Sequence, residues 1–145
     1  MKTIRTLLTI ALLAGAVSAY AQAQFGPPLR VSVPFSFTVE NQSFPAGNYV
    51  ISSLQMESRD VIQLRSADSK HATFVRTHPR YEVNRAAHTE LIFEHYGTMY
   101  FLRQIRTQGD ATGRELLLSN SGKELAQKGS ASNIAIIIAS AKFSH

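Results

Sequence analysis

The chain has 145 residues, a formal net charge of +5 and no cysteine. Without a thiol, disulfides, thiolate metal sites and thiol catalysis are all excluded, so a core must hold the fold unaided. The charge surplus is too small to point to a dedicated nucleic-acid binder, and none is expected.

Residues 1–23 carry the parts of a secretory signal peptide: Lys2 and Arg5, the apolar run Leu7–Val17, and a small-residue stretch Ser18–Ala23. Two A-x-A sites place cleavage after Ala21 or after Ala23. The apolar run is shorter than the roughly 20 residues a spanning helix needs, so the mature chain should hold no transmembrane segment. Removing 23 of 145 residues leaves 122, with 13 basic and 10 acidic side chains and a net charge of +3. The expected location is secreted or periplasmic. Residues 24–30 read as an extended leader because of Pro27-Pro28, residues 31–140 as a single β-domain, and residues 141–145 as a tail.

From Val31 to Val39 apolar and polar residues alternate with period two, the pattern of a strand with one buried face. A strand from about Arg30 to Val39 is expected, with Pro34 confining it to an edge or making it irregular. Asn41–Ser43 should turn the chain, Phe44-Pro45-Ala46-Gly47 should turn it again, and Asn48–Leu54 should pair back as a hairpin partner. A charged turn at Glu57–Asp60 leads to a short strand at Val61–Arg65, and Ala67–Lys70 turns once more.

His71–Val83 is expected to be a longer strand broken near Pro79. Thr89–His95 and Thr98–Thr107 form the clearest hairpin, around Tyr96-Gly97. Arg114–Leu118 reads as extended. Ser121 with Glu124 is a capping box that starts a short helix over Gly122–Lys128, stopped by Gly129. Ile134–Ala139 is apolar on both faces and is expected in the middle of a sheet. The sum is a mainly β fold, an antiparallel barrel or sandwich of seven to eight strands with one short helix before the last strand. Pairing of the last strand with the first favours the barrel, since it would remove an edge.

Several pieces stand together in order: Val-Pro-Phe-x-Phe-x-Val at Val33–Val39, Phe-Pro-Ala-Gly-x-Tyr at Phe44–Tyr49, Tyr-Gly-x-x-Tyr-Phe-Leu at Tyr96–Leu102, and Gly-Arg-Glu-Leu at Gly113–Leu116. They resemble a group of short, secreted bacterial β-proteins of the acidobacterial type, over nearly all of the mature chain. The resemblance implies an exported β-protein and carries no activity or site residues with it.

Candidate chemistry gathers between Lys70 and His95. Arg76, His78, Arg80, Arg85 and His88 form a basic run that could receive an anionic ligand, such as an acidic glycan, a phosphate or a membrane surface. The alternative is an exposed strand whose arginines protect an edge. His88 and Glu90 could give two ligands to a metal, with His71 or His78 as a third, yet no ligand signature is present and no metal or cofactor is expected. Glu90 and Glu94 share one strand face about 13 Å apart at the Cα atoms. That is wider than the roughly 5–9.5 Å between glycosidase carboxyl groups. The aromatics at strand positions, Phe35, Phe37, Phe74 and Phe93 among them, should fill the core rather than line a cavity.

The expected function is therefore a non-catalytic binding or structural module of the cell envelope or extracellular space, with an envelope polymer, a protein or a small ligand as partner. A small β-barrel hydrolase or isomerase using His88, Glu90 or Glu94 is the alternative. Ligand-binding candidates are Arg76, His78, Arg80, Arg85, His88, Glu90 and Glu94.

Overall fold

A computed structural model describes residues 28–54, 61–129 and 132–139. The signal peptide at 1–23, most of the leader, the charged turn at 57–60 and the tail at 141–145 lie outside the described residues.

The alternation read from Val31 to Val39 is kept: Val31, Val33, Phe37 and Val39 are buried, and Ser32, Pro34 and Ser36 are exposed. The run is nevertheless two strands, β1 (Leu29–Val33) and β2 (Phe37–Val39). Pro34 has no amide proton to give to a ladder, and the chain changes sheets there. β3 (Gln42–Phe44) pairs antiparallel with β2 across a turn in which Glu40 takes a left-handed φ of 52°. β4 (Gly47–Leu54) returns antiparallel to β1, with Val31 opposite Tyr49, so the expected hairpin partner is in place.

β4 then pairs with β5 (Val61–Ser66), and β5 with β6 (Ala72–Tyr81). Pro79 does not break β6. The strand pairs with β5 as far as Arg76, and from Thr77 onward it pairs with β9 (Thr112–Leu116) in the second sheet. Glu82 N–H donates to Ala111 O, so the even-numbered residues of β6 exchange the ladder bonds with β9. The Pro79 nitrogen therefore points away from β9, to a side where none of the described strands pairs with it, and its missing donor interrupts no described ladder.

The second sheet continues from β9 to β8 (Met99–Arg106), β7 (Glu90–Tyr96) and β10 (Ser132–Ile138). The β7–β8 hairpin turns at Gly97, whose φ of 60° suits a two-residue loop. β2 lies parallel against the first half of β8, with Thr38 opposite Phe101.

The described strands number ten in one open, sandwich-like sheet, against an expected seven or eight. The two extra strands arise because the Val31–Val39 run divides and because Gln42–Phe44 pairs instead of turning. The expected barrel closure is not made. Cα atoms of β1 and β10 come within 8 Å of each other, yet no ladder joins them. β10 is correspondingly an edge strand, contrary to the expectation of a central one. Ala135 and Ile137 pack toward the core, whereas Ile134, Ile136 and Ile138 are 68%, 54% and 64% exposed.

Between the sheets the centre is filled by aromatic rings. Phe37 contacts Phe44, Tyr49 and Phe93 at centroid distances of 5.5, 5.1 and 5.4 Å. Phe74 was expected among them and is exposed instead, because β6 turns Val75 and Thr77 inward and Phe74, Arg76 and His78 outward.

The helix α1 (Asn120–Gln127) starts two residues earlier than the capping box suggests. Ser119 is the N-cap, its buried hydroxyl accepting from Gly122 N–H at 3.0 Å. Ser121 only exchanges a hydroxyl contact with it. Gly122 lies so close to Leu118 and Phe101 that a Cβ there would sit 2.6 Å from Leu118. This seats α1 over Phe101, whose ring meets Tyr96 edge-on at 6.0 Å.

Removing the central ring should be far costlier than altering the last strand. Phe37→Ala is expected to lose about 3–5 kcal/mol of unfolding free energy. Ile136→Thr, on the exposed face, should change it by less than about 0.5 kcal/mol. Urea denaturation of both variants measures this, and equal losses would contradict the burial of Phe37 against the exposure of Ile136.

Candidate functional site

Three of the charged candidates, Arg80, Glu90 and Glu94, lie on the outer face of the second sheet, where each is held by a charged residue outside the candidate set. Arg106 Nη1 reaches Glu90 Oε1 at 2.8 Å, and Arg106 Nη2 donates to Asn84 O. Arg103 Nε lies 3.2 Å from Glu94 Oε1, charge to charge but outside hydrogen-bond geometry, while its Nη2 meets Glu115 at 3.4 Å. Arg80 contacts the same Glu115 at 3.3 Å and Glu82 at 3.2 Å. Arg80, Glu115, Arg103 and Glu94 thus form one chain of alternating charge across four strands. Arg85 is taken up by a bond to Gly109 O at 2.9 Å.

Arg76 and His78 are exposed on β6, and His88 is exposed ahead of β7. Among the described residues no hydrogen bond or ion pair joins His88 to Glu90 or Glu94, and no three of His, Asp and Glu gather as a metal would need. His71 sits edge-on to Phe44, and His95 stacks on Tyr100 at 4.1 Å. Of the seven candidates, Arg80, Glu90 and Glu94 are salt-bridged, Arg85 is held by a backbone carbonyl, and Arg76, His78 and His88 face solvent.

A different residue defines a concave site. On β9, Gly113 and Glu115 face outward, and Thr112, Arg114 and Leu116 face the interior. Leu116 is fully buried in the core. Arg114 stands opposite Ile105 and Pro79 in the registers of its two neighbours. It lines a cleft of about 260 Å³ at the pole where β6 leaves β5 for β9. The floor is apolar: Leu29, Ile51, Ile62 and Ile105. Threonine hydroxyls from Thr89, Thr107 and Thr112 border it, and Asp110 stands among them. Nη1 of Arg114 is buried and has no hydrogen-bond partner among the described residues. Leaving a buried charged donor without an acceptor is expensive, typically more than the about 1–3 kcal/mol of a neutral group.

A second hollow, about 250 Å³ at the opposite pole, offers nothing similar. Three of its polar side chains, those of Tyr49, Ser66 and Asp68, are already paired. The Tyr49 hydroxyl donates to Pro45 O, Ser66 Oγ donates to Asp68 at 2.6 Å, and Asp68 accepts from Lys70 N–H at 3.1 Å. Burial, with Asp68 adding to it, pushes the Tyr49 phenol up from its ordinary pKa.

Sequence reading passed over Arg114. The available sign was its parity: it lies two residues from Leu116 in a strand whose other charged residue, Glu115, falls on the opposite face.

A scan of family models, a search of curated proteins and a search of solved structures find no match to the chain. Among the described residues no helix is long and apolar enough to cross a membrane.

The outer lattice and the opposite turn make stability sensitive to acid. The Gln104 amide, donating at 2.8 Å, holds the Glu82 carboxyl below its usual range, with Arg106 and Arg80 adding to it. The Ser66 hydroxyl and the Lys70 amide do the same for Asp68. A carboxylate with a depressed folded pKa contributes stability that is full above its unfolded value, about 4, and is lost as pH falls through the folded value. Tm should be level from pH 7 to about 5 and fall between about pH 4 and 2. Glu82→Gln should reduce that acid slope in a calorimetric pH series, and an unchanged slope would remove Glu82 from the account.

Proposed function

We propose that the chain is an exported, non-catalytic binding module whose ligand enters the cleft beside Arg114. The observation that carries this reading is the buried Arg114 Nη1, without a hydrogen-bond partner among the described residues, beside an apolar floor. A cavity with an apolar floor and a few convergent polar groups is the usual form of a small-molecule site. The aromatic filling of the centre and the arginine pairing of Glu90 and Glu94 weigh against acid–base chemistry by those residues. Export rests on the signal-peptide grammar of residues 1–23. The motif resemblance to short secreted bacterial β-proteins belongs to the same proposal, as does placement in the periplasm or outside the cell.

Two measurements test it. Expressed in a bacterium with an intact export system, the protein should be recovered outside the cytoplasm with Gln22 or Gln24 as its first residue. Retention of Met1 would overturn export. A mixture of small amphipathic fragments should shift the backbone amide resonances of Ile51, Ile62, Thr112 and Arg114. Shifts gathered instead at His88, Glu90 and Glu94 would move the site to the outer face.

A further inference from the structure

The cleft also states what kind of molecule it takes, on the reading that the cleft is the binding site. We infer that Arg114 receives the carboxylate of a small monoanionic ligand whose apolar tail lies on Ile51, Ile62 and Ile105. Four features of the cleft converge on this class.

A guanidinium is planar, permanently charged and less strongly hydrated than an ammonium, and it pairs with a carboxylate through two parallel hydrogen bonds. Arg114 is the interior charged residue of β9, and its buried Nη1 has no acceptor among the described residues. An anion beside this guanidinium offsets the desolvation its position already imposes. The floor supplies the second half of the chemistry. Ile51, Ile62 and Ile105 are 3%, 1% and 3% exposed, so the surface under the guanidinium is largely fixed hydrocarbon, with Ser53 as a further polar member of the lining. The third feature is size. At about 260 Å³ the cleft falls below the roughly 300–1,000 Å³ of sites for drug-sized molecules, so the ligand is short.

Asp110 supplies the fourth. It stands in the same lining, and its backbone is tied down by its N–H to Thr107 O and by Ala86 N–H to its own carbonyl. With one arginine and one aspartate the lining has no net formal charge. A monoanion engages Arg114 at tolerable distance from Asp110, whereas a dianion such as a phosphate monoester meets repulsion that one guanidinium does not cancel. Thr89, Thr107 and Thr112 offer hydroxyls for the remaining carboxylate lone pairs.

The test uses four six-carbon probes on the purified protein: hexanoate, hexyl phosphate, hexylamine and hexanol, each titrated while amide resonances are followed by NMR. Hexanoate should bind most tightly and shift Ile51, Ile62, Ile105 and Thr112. Its affinity should fall at least tenfold in Arg114→Gln, while hexanol binds both proteins equally weakly. Asp110→Asn, which leaves the arginine in place, should raise hexanoate affinity and admit hexyl phosphate; unchanged selectivity in this variant would remove Asp110 from the argument even if Arg114→Gln folds poorly. If hexylamine, hexanol or hexyl phosphate shifts the cleft resonances in preference to hexanoate in the unaltered protein, the carboxylate class is wrong and the cleft remains the site. If no probe shifts them, both the class and the reading of the cleft as a binding site fall.

Discussion

The structure depends on two places where the chain changes sheets. At Pro34–Ser36 it passes from β1 in the first sheet to β2 in the second, and at Thr77 the strand β6 exchanges β5 for β9 without a turn. Each crossing ties the two sheets covalently at a different point, which fixes them face to face. Phe37, the first buried residue after one crossing, then lies against Phe93 of the second sheet and Tyr49 of the first. The crossings also decide where the packing ends. Beyond Arg76, β6 no longer accompanies β5, and the interior opens between Ile62 on one side and Thr112 and Arg114 on the other. The cleft is a consequence of the same partner exchange that holds the fold together.

The outer face of the second sheet is covered in two ways. At one end α1 lies over Phe101 and Tyr96, which form a small aromatic cluster apart from the main core. Elsewhere arginines and glutamates on four strands alternate, with contacts of 2.8–3.4 Å from Glu90 to Arg80. Exposed ion pairs are individually worth about 0–1 kcal/mol, and a chain of them across strands chiefly fixes cross-strand neighbours and register. Gly113 belongs to this arrangement, since a Cβ there would meet the Gln104 amide at 2.6 Å and displace the group that bonds Glu82. β10 stands outside both devices, with three isoleucines exposed on an edge that carries no charge between Ser132 and Ile138.

Local pattern was a good guide wherever a residue's environment is set by its own strand. The period-two burial of Val31–Val39, the hairpin at Gly97 and the helix before the last strand all follow from short-range grammar. Pairing partners do not. Ile134–Ala139 is apolar on both faces, and that composition suits a central strand as well as an edge strand with one bare face. Only its neighbour β7 on one side, with none of the described strands on the other, decides the matter. The helix start shows the same limit at small scale. Ser119 and Ser121 are both capable caps, and the choice falls to Ser119 because Gly122 must fit beneath Leu118. The basic run was legible as a run. That Arg80 and Arg85 are engaged, and that Glu90 and Glu94 answer Arg106 and Arg103, depends on strands distant in sequence.

Arg103 and Arg114 make an instructive pair. Each has a buried nitrogen without a hydrogen bond, and both belong to the second sheet. Arg103 faces outward, where Glu94 and Glu115 lie on either side of it and the Leu116 carbonyl accepts from its Nη1. Its charge is compensated within the fold. Arg114, one residue before Glu115 on β9, faces the interior, and none of the described glutamates reaches it. A leucine at that position would extend the apolar floor continuously from Ile105 to Leu116 and would remove the cost of desolvating a cation. Replacing an interior charge by hydrocarbon is often neutral or stabilising. Packing of the sandwich alone therefore does not call for an arginine there, and its buried Nη1 is the feature on which the proposed ligand site rests.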